Sequence, residues 1–77
     1  MWYLEAFDKR GDARVYREPL PHVDAQYLRE ILQVPPDDPM VGDYPVTERA
    51  ANGLRSLVHR PIVMDHYDYF VGERSDS

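Results

Sequence analysis

His66 stands between Asp65 and Asp68, and an imidazole flanked by carboxylates can ligate a metal ion or relay a proton. On a strand, however, Asp65 faces away from His66, which leaves only His66 and Asp68 on one side. Two such ligands do not make a zinc site, and nothing in the spacing of His22 or His59 demands that either join them. Ser56, His59 and Asp65 have the residue types of a hydrolytic triad. Ser56 falls inside a helical pattern without a glycine-flanked nucleophile elbow, so these three do not read as a catalytic set. The chain also lacks a glycine-rich motif of the kind that cradles phosphate. Arg10-Gly11-Asp12 matches an adhesion tripeptide, yet Gly and Asp are also what a hairpin turn requires. The expectation is a protein that is not an enzyme and uses no metal or cofactor.

Binding is the chemistry that the residue pattern favours. Trp2 to Asp8 and Asp65 to Val71 both alternate large aromatic or apolar residues with charged ones. Successive side chains of a strand point to opposite faces. One face then carries Trp2, Leu4, Ala6 with Tyr67, Tyr69, Val71, and the other carries Tyr3, Glu5, Phe7 with His66, Asp68, Phe70. Aromatic rings among acids on an exposed sheet face suit contact with a basic protein. The same pattern also fits burial of both faces, one under helices and one in a homodimer. Asp37, Asp38, Asp43 and Glu48 form an acid-rich stretch without a basic residue, interrupted by Met40, Val41 and Tyr44. Such a stretch is a solvated loop, or a segment that combines contact with electrostatic steering.

Composition narrows the classes further. The chain has 77 residues, no cysteine and a formal net charge of -5. Disulfides, thiolate metal sites and thiol catalysis are therefore absent, which suits a reducing cytoplasm. The negative charge disfavours nucleic acid and anionic membranes as ligands and favours a cationic protein partner. No stretch is long and apolar enough for a membrane span, and the N-terminus has the pattern of a strand rather than a signal peptide.

The elements that must position these residues follow from local signals. A strand over Trp2 to Lys9 meets a turn at Arg10-Gly11-Asp12, and a second strand runs from Ala13 to Glu18, closed by Pro19 and Pro21. Proline suits an edge strand or a strand end because it cannot donate to the ladder. Asp24 is placed to cap a helix, with Val23 and Leu28 at the spacing of a hydrophobic staple. Tyr27, Leu28, Ile31 and Leu32 form its apolar stripe, which must end before Pro35-Pro36. An ordered loop follows, with a short strand at Tyr44 to Val46 as an open possibility. Thr47 caps a second helical pattern whose apolar face is Ala50, Ala51, Leu54, Leu57 and Val58, ending near His59. Gly53 weakens that helix by about 1 kcal/mol relative to Ala. A last strand spans Asp65 to Gly72, and residues 73–77 are expected to fray. The chain thus reads as one small α+β domain over residues 1–77: a twisted antiparallel sheet of three to four strands with two short helices on one face.

Four short stretches in this order carry a family likeness: Phe7-Asp8-Lys9, Leu32-Gln33-Val34-Pro35, Gly42-Asp43-Tyr44-Pro45-Val46 and Tyr69-Phe70-Val71. Together they resemble the cloacin-type immunity proteins, which protect bacteria against ribonuclease colicins, and related small bacterial proteins. The resemblance implies a small acidic domain that binds and blocks a cationic nuclease domain. It further implies that Phe7 and Phe70 belong to the toxin-facing surface and that Asp43 takes part in choosing between toxins. Thr47 to Val58 departs from that family, whose middle strand is continuous, and its final strand extends further. From pattern and resemblance together, the expected partner-binding residues are Tyr3, Glu5, Phe7, Asp43, His66, Asp68 and Phe70.

Overall fold

Alternation in Trp2–Asp8 produces the central feature of the molecule, a strand whose even-numbered residues Leu4 and Ala6 are fully buried. The computed structural model describes residues 1–11 and 13–74. Its elements are β1 (Trp2–Asp8), β2 (Arg14–Leu20), α1 (Ala25–Ile31), β3 (Asp43–Pro45), α2 (Glu48–Leu54) and β4 (Tyr67–Glu73). The strands form one antiparallel sheet in the order β2-β1-β4-β3, so the first and last strands of the chain are the inner pair. The fold is α+β, with the architecture expected from the sequence.

Leu4 lies opposite Glu18 and Val71, and Ala6 opposite Tyr16 and Tyr69, which places these side chains on one face. That face packs against Leu28 and Ile31 of α1 and Ala50, Ala51 and Leu54 of α2 in a single core. Asp24 caps α1 by accepting from the Gln26 N–H at 2.9 Å, and Val23 beside it joins the core with Leu28. The helix closes with Gln33 in the left-handed region (φ 57°); the Gln33 and Val34 N–H groups donate to the Glu30 and Arg29 carbonyls. This is a Schellman ending, here without its usual glycine. Thr47 caps α2 through the Ala50 N–H.

Several boundaries differ from the sequence expectation. Helix α2 ends at Leu54 rather than near His59, and residues 55–57 form a turn in which the Leu57 N–H donates to the Leu54 carbonyl. The Arg55 guanidinium holds this exit by donating to Asn52 and to the Ile62 carbonyl. Strand β4 starts at Tyr67, because residues 64–66 form a turn whose His66 N–H donates to the Val63 carbonyl. Strand β2 continues through Pro19 to Leu20, and the short strand β3 is Asp43–Pro45, shifted by one residue. Both edge strands carry a proline, Pro19 in β2 and Pro45 in β3. The expected fray is wrong for residues 73 and 74: Glu73 belongs to β4, and the Arg74 N–H donates to the Met1 carbonyl at 2.9 Å. Residues 75–77 of that tail, and Asp12 of the Arg-Gly-Asp tripeptide, lie outside the described residues.

Gly53 has a packing reason. A Cβ built on it would lie 2.8 Å from Ile31 Cγ2, and its carbonyl accepts from the Tyr27 hydroxyl at 2.7 Å. The helix loses intrinsic propensity at this position and α1 approaches closely in return.

Candidate functional site: the open face of the sheet

The helices cover one side of the sheet, and the odd-numbered residues of β1 face the other. Tyr3 lies opposite Pro19 and Gly72, Glu5 opposite Arg17 and Phe70, and Phe7 opposite Arg14 and Asp68. Phe7 and Phe70 are half-buried and meet edge to face, with ring centroids 5.6 Å apart. That geometry is the favoured one for two aromatic quadrupoles. Tyr3 lies beneath the Arg17 guanidinium, which sits 5.0 Å from its ring centroid. Strand parity therefore brings Tyr3, Phe7 and Phe70 to one face.

Glu5 departs from the sequence expectation. An acid on the open side of a sheet is expected in water, yet Glu5 is 2 % exposed. Three guanidiniums enclose it: Arg14 at 3.0 Å and Arg17 at 3.2 Å on Oε2, and Arg74 at 2.8 Å on Oε1. A carboxylate so buried is tolerable only with several such charge-assisted bonds. Arg74 also bonds Asp43 at 2.7 Å, and that bond raises its pKa above the ordinary value. The Asp43–Arg74 pair lies across Gly72, where a Cβ would come within 2.0 Å of Asp43 Oδ1. Asp68 is bonded to Lys9 at 2.9 Å. On this face Lys9, Arg14, Arg17 and Arg74 stand against Glu5, Asp43 and Asp68, so it is an aromatic ridge among paired charges rather than an acidic surface.

His66 lies apart from the ridge. It is exposed in the turn before β4, beside Tyr67, and lines a polar recess of about 410 Å³ with Asp8, Lys9, Arg10 and Asp65. Ser56 and His59 line a different groove, against β2, so the structure separates them from Asp65.

The acid-rich loop is built rather than loose. The Asp38 carboxylate accepts from the Met40 N–H at 2.8 Å and from the Tyr44 hydroxyl at 2.7 Å. The Tyr44 bond, then the Met40 bond, lower the Asp38 pKa below 3.8, and the same contact raises that of Tyr44. Met40 is buried with φ 58°, which leaves Val41 85 % exposed at the tip, next to β3.

Sequence reasoning missed Arg14, Arg17, Gly72 and Arg74. A signal existed for Arg17, since a hairpin between the first two strands sets a base across from Glu5. Gly72 inside a strand pattern was a second, because such a glycine often marks close approach by another group. On the helix side, Glu18 was missed as well: it is buried and accepts from the His59 N–H at 2.6 Å, tying the segment after α2 to β2. The Tyr16 hydroxyl beside it is buried without a well-formed hydrogen bond among the described residues, and burial, then the neighbouring Tyr69, push its pKa up.

These features define a class of small α+β domain with a one-sided sheet, proline-blunted edges and an aromatic ridge on its free face. The chain belongs to the family of a domain of unknown function, DUF7683, whose profile matches residues 1–72. No curated protein and no solved structure was found to match it. No helix among the described residues is long and apolar enough to cross a membrane.

Proposed function

We propose that this chain is a non-catalytic binding protein of the immunity type, which docks on a cationic toxin or nuclease domain through the open sheet face. The observation that carries this reading is the Phe7–Phe70 pair on a sheet face that no helix covers among the described residues. Aromatic anchors of this kind hold most of the energy of protein interfaces. Pro19 and Pro45 disfavour strand addition at either edge, which directs a partner to the face. Glu5 is enclosed by arginines, so long-range attraction falls to the net charge of -5 and to exposed acids such as Asp8, Asp37 and Asp65. Asp43, joined to the open face through Arg74, supplies contacts that distinguish partners.

The test begins with the neighbouring gene: a large secreted protein with a basic C-terminal domain, encoded immediately upstream, supplies the candidate partner. Coexpression of this chain should restore growth of cells that make that domain. Phe70→Ala should raise Kd by roughly thirtyfold, about 2 kcal/mol, whereas Asp37→Asn should mainly slow association. Unchanged affinity in Phe70→Ala would remove the face from the interface. Sedimentation at micromolar concentration addresses the other occupant of this surface, a second copy of the chain. A tight dimer that buries Phe7 and Phe70 would redirect the ridge to self-association.

A further inference from the structure

A groove of about 600 Å³ runs along β2, at the sheet edge opposite β3, and is closed on its far side by the segment after α2. Leu20, Pro21 and Leu57 make its apolar side, and His22, His59 and Arg60 its polar one. Leu57 is 39 % exposed, so an aliphatic surface is held in water here. Glu18 is the acid in its lining, and that carboxylate is buried and bonded to the backbone N–H groups of His59 and Arg60. The Arg60 guanidinium lies 4.3 Å from the centroid of the Tyr16 ring and forms no ion pair among the described residues. The imidazoles of His22 and His59 are exposed and likewise unpaired among those residues. On a chain of net charge -5, the groove thus sets the Arg60 guanidinium, held over Tyr16, and two exposed imidazoles beside an apolar floor.

We propose that this groove binds an acidic peptide segment in extended form, a function separate from that of the open face. An aliphatic side chain of the peptide rests on Leu20, Pro21 and Leu57, and flanking carboxylates meet Arg60, His22 and His59. Two observations favour a peptide over a compact small molecule. The groove is part open to water, whereas small-molecule sites enclose most of their ligand. Its lining also runs in sequence from Arg17 to His22 along the edge strand β2, which gives it the elongated shape of an extended chain. Pro19 and Pro21 cannot donate from the backbone, so side-chain contacts and charge, rather than strand addition, hold the segment. Arg17 lines this groove and also bonds Glu5 on the open face, so the two surfaces adjoin along β2.

The test is a titration of the ¹⁵N-labelled full chain with acetyl-Glu-Asp-Leu-Asp-Glu-amide, followed by amide shifts. Saturable shifts confined to residues 17–22 and 56–60 are expected. Glycine in place of the peptide leucine should weaken binding about tenfold, and lysines in place of its acids should abolish it. Leu57→Asp, at an exposed position, should weaken binding by about the same factor through lost apolar contact and like-charge repulsion, with an unchanged thermal midpoint. Non-saturating shifts, shifts centred on Lys9, Arg14 and Arg74, or equal binding of the lysine peptide overturn the proposal. Concentration-dependent shifts at the groove in the free protein also overturn it, because a second copy is then the occupant.

Discussion

The two faces of the sheet keep water out by opposite means, and neighbouring residues of β1 show the contrast. Leu4 is 0 % exposed under the helices, and Glu5 is 2 % exposed on the opposite side of the sheet. Burying Leu4 contributes about 1.5–3 kcal/mol through the hydrophobic effect, without directional requirements. Burying Glu5 incurs a desolvation cost that Arg14, Arg17 and Arg74 offset only with well-placed hydrogen bonds. The inner face therefore supplies stability, and the outer face supplies definition: its salt bridges pin the surroundings of Tyr3, Phe7 and Phe70. A docking surface gains from such order, because less side-chain freedom is lost on binding.

The sharpest way to break this contrast is to truncate each side in turn. Leu4→Ala should lower unfolding free energy by about 2–5 kcal/mol in urea titration, through lost transfer energy and an unfilled cavity. Glu5→Gln keeps the shape but leaves three guanidiniums without their carboxylate. Those guanidiniums are a third to a half exposed and can turn to water, so about 1–2 kcal/mol is expected. If Glu5→Gln costs as much as Leu4→Ala, the open face is a second core and the distinction fails.

The two glycines sharpen it next. Gly53→Ala gains helix propensity but sets a methyl 2.8 Å from Ile31 Cγ2, so a net loss of about 1 kcal/mol is expected. Gly72→Ala intrudes first on the Asp43–Arg74 pair, which is part-exposed. It should cost about 0.5–1 kcal/mol while altering the amide shifts of Asp43 and Arg74 more than those of any core residue. Smallest is the acid limb set by the loop beside β3. The folded pKa of Asp38 lies below 3.8. Its contribution is therefore fully present above that pH and is lost as pH falls through the lowered value. Asp38→Asn should flatten the fall of the thermal midpoint as pH drops below 3.8, relative to the parent chain.

Much of the frame was legible because its signals are local. Asp24 and Thr47 announce the helix starts, and strand parity sets Phe7 and Phe70 on one side before any contact is known. Boundaries were less legible where side chains far apart in sequence decide them. Helix α2 stops at Leu54 although its apolar spacing continues to Val58, because Arg55 engages the Ile62 carbonyl and Glu18 draws in the following segment. His66 leaves the strand because its N–H is bound by the Val63 carbonyl within a turn. Strand parity gave correctly which aromatics share a side of the sheet and incorrectly the state of the charges beside them.

The sequence by itself determined the order of elements, the helix caps and the side to which each β1 side chain turns, since these depend on neighbours within a few residues. Only the tertiary structure decided that Glu5 is withdrawn from water, because one of its partners, Arg74, lies 69 residues away. Likewise Gly53 and Gly72 acquire their roles only when α1 and the Asp43–Arg74 pair arrive above them. Periodicity states which way a side chain points, and strand order states what it meets there.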